Sequence, residues 1–259
     1  ILTRAAEKRQ TLLQAGSMTS AAEASCLLTL HSCGSARDKN FFSRRNFMLR
    51  SIAMTSVFTA QELPKSIIEK ITGVTYRENP HIKLSQLSYL RISYIDFEGS
   101  VQTGEMICNK KLSSEITDIF RELFEAGYPI EKMRLADEYG GDDDKIMADN
   151  NTSCFNYRTV AGTDTVSLHG LGRAVDINPL YNPYIAGGKI MPAKAAPYAD
   201  RSRDFPYKIV KDDICWRIFT SHGWKWGGEW KNSKDYQHFY KPGSAMLRTI
   251  RKIFRICLL

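Results

Sequence analysis

The stretch Ser167-Leu168-His169-Gly170-Leu171-Gly172-Arg173-Ala174-Val175-Asp176-Ile177-Asn178-Pro179 places a histidine and an aspartate on either side of two glycines. Gly170 and Gly172 permit a tight reversal, because glycine takes backbone angles that other residues avoid. Such a reversal can bring His169 and Asp176 to one point. Residues 174–177 have the composition of a strand, and Asp176 lies inside their apolar run. An unpaired carboxylate there would be costly to bury. A metal ion would account for it, and so would a salt bridge.

Further along the chain comes Asp235-Tyr236-Gln237-His238-Phe239. Two histidines and one carboxylate make a sufficient zinc set, and three protein donors leave a fourth position for water. His169, Asp176 and His238 are therefore the candidate metal ligands. The other histidines, His31, His81 and His222, have structural readings. His222 stands beside Gly223 near an expected helix end, where a cationic ring complements the helix dipole.

The segment 167–176 is similar to S-x-H-x-x-G-x-A-x-D, the signature of the M15 peptidases, through Ser167, His169, Gly172, Ala174 and Asp176. The acid three residues before His238 resembles the family's second signature. Trp224-Lys225-Trp226-Gly227-Gly228 and Asp176-Ile177-Asn178-Pro179 resemble its flanking text, and the likeness runs from about residue 80 to about 242. The resemblance implies zinc held by His169, Asp176 and His238. It implies Asp235 as general base, where many relatives have Glu. It also implies an upstream arginine, Arg158, that polarises the scissile carbonyl or holds the substrate carboxylate. Ser153 and Ser167 would bind polar groups of the substrate, and Glu229 matches an acid with a structural role. The implied substrate is a peptidoglycan stem peptide, and the implied activity is D-Ala-D-Ala carboxypeptidase. L-Ala-D-Glu endopeptidase, or a non-catalytic zinc-containing cell-wall-binding module, are the alternatives. The implied fold is that of the DD-peptidases and the Hedgehog signalling domain, a central antiparallel sheet flanked by helices, and a monomer is expected.

The pattern outside these motifs reads as α+β, with helices and strands in blocks and no regular βαβ repeat. Ser113 or Ser114 caps an expected helix with Ile116, Ile119, Phe120, Leu123 and Phe124 on one face, ended by Gly127. Asp212 or Asp213 caps a second, with Ile214, Ile218 and Phe219, ended by Gly223. Short strands are expected at 130–135, 154–160, 174–177, 224–226 and 237–240, and a polar loop at 138–152.

The chain has 259 residues and a formal net charge of +8. Residues 1–62 carry eight basic and four acidic side chains, and residues 246–259 carry four basic and none acidic. The centre, 63–245, is therefore neutral. It lacks the electrostatic footprint of phosphate binding, and no nucleic-acid partner is expected. This divides the chain into an N-terminal extension, 1–62, a peptidase domain, 63–245, and a basic amphipathic tail, 246–259, suited to peripheral membrane contact. A membrane-associated interaction protein led by that tail is a third reading. Residues 43–60, with Arg44-Arg45 and Phe47, resemble a twin-arginine export signal and point to the periplasm or cell envelope. Of six cysteines, Cys108, Cys154 and Cys215 fall in the centre. They read as small buried hydrophobes, with a Cys154–Cys215 bridge as the alternative in an oxidising compartment.

Overall fold

A computed structural model describes residues 56–160 and 162–243. Its strands are β1 (Phe58–Glu62), β2 (Leu87–Ile95), β3 (Val101–Asn109), β4 (Ala174–Asp176), β5 (Tyr184–Ala186), β6 (Lys189–Met191), β7 (Lys225–Trp226), β8 (Ser233–Asp235) and β9 (His238–Tyr240). Its α-helices are α1 (Lys65–Ile71), α2 (Ser113–Glu125), α3 (Asp143–Ala148) and α4 (Ile214–Ser221). The α+β reading holds. The strands form three antiparallel sheets, ordered β1-β2-β3, β4-β9-β7 and β6-β5-β8. The first two are stitched together by residues 153–155. Phe155 N–H donates to Ile107 O on β3, and Ser153 and Asp176 exchange both backbone hydrogen bonds at 2.9 and 3.1 Å. Where one central sheet was expected, a sheet with two nine-residue strands and one with strands of two or three residues share a single extended connector.

The β2–β3 hairpin turns at residues 96–100, where Asp96 accepts from the backbone N–H groups of Glu98 and Ser100 and from the Gln102 amide. Helix α2 lies on β2. Ile116, Ile119, Phe120, Leu123 and Phe124 are all buried, at the spacing of one helical stripe. Neither expected serine caps it: Leu112 holds the cap position, and the Ser113 hydroxyl donates to Lys110 O at 2.9 Å. Helix α4 is capped by Asp213, which accepts from Trp216 N–H at 2.6 Å and Val210 N–H at 2.7 Å. Phe219 of α4 meets Phe120 of α2 edge-on and stacks on Phe239 of β9, ring centroids 4.1 Å apart. Burying a ring of this size contributes about 2–3 kcal/mol, so both helices anchor the strand that carries His238.

Several expectations are corrected. Residues 130–135 and 154–160 are extended but form only isolated bridges, such as Lys132 with Asn151 and Thr159 with Val166. The first of these segments crosses β3 at Gly104, where a Cβ would lie 2.5 Å from Met133 Cβ. That close crossing takes the place of regular pairing. The polar stretch 138–152 contains α3, capped by the Asp142 side chain. Ordered structure begins before residue 63, because β1 pairs with β2 from Phe58 to Glu62. Most of the expected export segment, 43–55, and the tail 246–259 lie outside the described residues. Cys108, Cys154 and Cys215 are free and buried, and the Cys154–Cys215 bridge does not form. Among the described residues no helix is long and apolar enough to cross a membrane.

Candidate metal centre

Strand alternation divides the work between the two faces of the β4–β9 pair. Val175 and Phe239, register partners, are fully buried in the core. Asp176 and His238, the next pair along, share the opposite face. Ser153, which bridges Asp176 from its other side, is a third residue on that face. His169 comes from a short 3₁₀ turn, His169–Leu171, that ends at Gly172 in the left-handed region, φ +61°. A Cβ on Gly172 would lie 2.5 Å from Asn109 N of β3, and one on Gly170 would lie 3.1 Å from Arg158 O. The two glycines thus give room as well as a turn, and the loop carrying His169 seats directly on its neighbours.

The three side chains converge. His169 Nε2 lies 3.1 Å from His238 Nδ1 and 3.2 Å from Asp176 Oδ2. His238 Nδ1 lies 2.9 Å from Asp176 Oδ1. Donors at zinc distance around one tetrahedral ion are about 3.3–3.6 Å apart, so the observed spacing is near that of a metal-bound set. His169 and His238 are 4% and 8% exposed. His169 Nδ1 lies 2.6 Å from Cys154 O. A carbonyl can only accept, so Nδ1 holds the proton and the neutral ring turns the Nε2 lone pair toward the other two donors. His169 Nε2 and the Asp176 carboxylate are then acceptors facing His238 Nδ1 in a nearly dry pocket, and either the His238 ring proton or a cation can sit among them. Burial works against the charge on Asp176, but the two histidines outweigh it and hold the carboxyl well below the usual range. Two imidazoles and a carboxylate suit zinc, and these residues fit it.

Asp235, at the end of β8, is drawn in by Gly227, where a Cβ would lie 2.8 Å from Asp235 Cβ and 3.3 Å from His238 Cβ. Its Oδ1 is enclosed and has no hydrogen-bond partner. Burial raises the carboxyl to about 7; His238, Gln237 and Arg158 pull it down and Asp176 pushes it up. A carboxylate poised near neutrality is the property that general-base work needs. Arg158 is within electrostatic reach of this group, and its Nε is paired with Asp143.

Ser153 is half-buried on the face of the triad. Ser167 is 6% exposed, and its hydroxyl accepts from His169 N–H at 3.2 Å. It supports the His169 turn from a buried position. Glu229 is exposed. Sequence reading missed Trp230, whose ring lies 5.4 Å from that of His238, and Asp143. The run of three aspartates hid Asp143 as part of a polar loop.

Residues 161–241 match a family model described as D-alanyl-D-alanine carboxypeptidase. No curated protein and no solved structure matches the chain.

Proposed function

We propose that this chain, whose residues 161–241 match the M15 family model described as D-alanyl-D-alanine carboxypeptidase, is a zinc-dependent hydrolase of peptidoglycan stem peptides, acting as a D-Ala-D-Ala carboxypeptidase. The observation that carries the reading is the convergence of His169 Nε2, His238 Nδ1 and Asp176, with the His169 tautomer set by Cys154 O. Held by these three donors, zinc would supply Lewis acidity, polarising the scissile carbonyl and making water acidic enough to react near neutral pH.

The chain's own residues do the rest. Asp235 takes the proton of the attacking water and hands it to the leaving amine nitrogen. Arg158 sets a fixed positive charge against the oxygen on which negative charge grows, or against the terminal carboxylate of the substrate. Ser153, on the face of the triad, offers a hydroxyl to the peptide backbone. Ser167 keeps the His169 turn in place. The placement of Asp235 against His238, with burial raising its carboxyl toward neutrality, supports an enzyme over a binding module. Stem peptides lie in the cell envelope, so export through the segment 43–60 belongs to the same proposal, as does a monomeric state.

The test is mass spectrometry of a defined stem pentapeptide incubated with the zinc-loaded chain, with and without a chelator. Loss of one alanine, abolished by the chelator, is the expected result. A split after the first L-Ala would assign endopeptidase action instead. No product from folded, zinc-loaded protein would overturn the peptidase reading for this substrate class.

A further inference from the structure

One side-chain cluster joins Arg158 to residues that have no part in the chemistry above. Arg158 Nε is ion-paired with Asp143 Oδ2. The other oxygen of Asp143 accepts from Asn156 Nδ2 at 2.9 Å, and the same amide donates to Gly141 O at 2.9 Å. Asn156 is 6% exposed, and its backbone N–H donates to His169 O at 3.3 Å. The carboxylate that grips Arg158 is therefore registered, through one buried residue, on the backbone of the first candidate metal donor. The ion pair itself is about one-third exposed on each side, 34% and 32%. Pairs of that exposure contribute little to stability, so a role in folding does not explain the arrangement. Its geometric effect is specific. Held against the Asp143 carboxylate by this ion pair, the guanidinium loses freedom to swing, and its Nη groups remain as donors for a substrate oxygen.

We propose that Asp143 is a positioning residue, whose carboxylate holds the Arg158 guanidinium in place so that the Nη groups meet the substrate at the His169–Asp176–His238 centre. The inference rests on the peptidase reading. It predicts that Asp143 acts only through Arg158. A misplacement of about 1 Å in such a group costs on the order of a hundredfold in rate.

The experiment is a double-mutant cycle in the full chain, with Asp143→Ala, Arg158→Ala and the pair, read as kcat/KM on the stem pentapeptide. Each single change is expected to lower kcat/KM by about 10- to 100-fold. The double variant should be no slower than Arg158→Ala, and Asp143→Asn, which keeps the shape and one acceptor, should recover part of the loss. Zinc content and thermal midpoint should stay at their wild-type values. Additive losses, or wild-type activity in Asp143→Ala, would overturn the proposal. A second readout needs no turnover: the Arg158 guanidinium N–H resonances in ¹⁵N–¹H NMR should exchange slowly with water in the wild type and rapidly in Asp143→Ala. Equal exchange in the two overturns the clamp. Absence of turnover in the zinc-loaded wild type would instead count against the peptidase reading, so the two failures are told apart.

Discussion

Between Leu87 and Glu125 the chain builds two nine-residue strands and a thirteen-residue helix; between His169 and Tyr240 no strand exceeds three residues. The first region is specified by apolar pattern. Its side chains need to be hydrophobic, of suitable size and on the right face, and many sequences meet that requirement. The second is specified residue by residue, through glycines that make room, carbonyls that fix a ring and acids that cannot be exchanged. The family model matches only this second region, 161–241. Regular structure and recognisable sequence thus lie in different parts of one molecule. A scaffold can be rebuilt from other apolar residues, whereas a cluster of donors cannot.

The sharpest way to test that division is to change one atom in the second region. Asp235→Asn removes the proposed proton acceptor, and kcat should fall by about 10²–10⁴-fold, with zinc content and the unfolding midpoint of the loaded protein little changed. The same variant has a pH signature in the zinc-free protein. Burial raises the folded carboxyl to about 7 from an ordinary value of 3.8, so the folded state binds the extra proton between those values. Stability should therefore fall as pH rises through that window, and Asp235→Asn should flatten the slope. Equal slopes in the two proteins would count against the enclosed carboxyl.

In the first region the opposite outcome is expected. Ile119 is fully buried on α2, and Ile119→Ala should cost about 2–5 kcal/mol in denaturant unfolding. The residual folded protein should keep its affinity for zinc. A variant that folds but loses zinc would break the comparison, because it would show the scaffold setting donor geometry directly.

Gly172 lies on the seam between the regions, with its φ of +61° and its backbone against Cys108 and Asn109 of β3. Gly172→Ala should cost about 1–3 kcal/mol from the left-handed conformation alone, and more as the added carbon pushes against β3. Because the turn also carries His169, zinc affinity should drop with stability. Loss of stability without loss of affinity would mean that the His169 turn relaxes independently of the strand beneath it.

What could be read from the sequence follows the same division. The helix at 113–125 was legible from its stripe, the helix at 214–221 from Asp213 and its apolar face, and the triad from the resemblance of its segments to the M15 signature. The β2–β3 hairpin has no counterpart among the sequence expectations. Most of β2 is buried, with only Arg91 fully exposed, so the polar alternation that marks a half-solvated strand is missing. Residues 130–135 and 154–160 have strand composition, but their partners are single crossings that composition cannot reveal. Helix α3 was hidden by its acids, because Asp142 caps it and Asp143 turns to Asn156 and Arg158. The burial of Ser167 was equally invisible, since a motif names a residue without saying which way its hydroxyl faces.

The facing of Asp176 by His238 in the β4–β9 register also has a cost in chain entropy. The two residues are 62 positions apart, and closing a loop of that length costs roughly 3–4 kcal/mol beyond a constant. Three-residue strands return little against that cost. An ion that bonds to both ends would work as a clasp on the loop, drawing the far end of the chain onto β4 and fixing the pairing against a one-residue slip that would turn His238 into the core. The candidate catalytic centre would then also be the knot that keeps the last sixty residues of the domain closed.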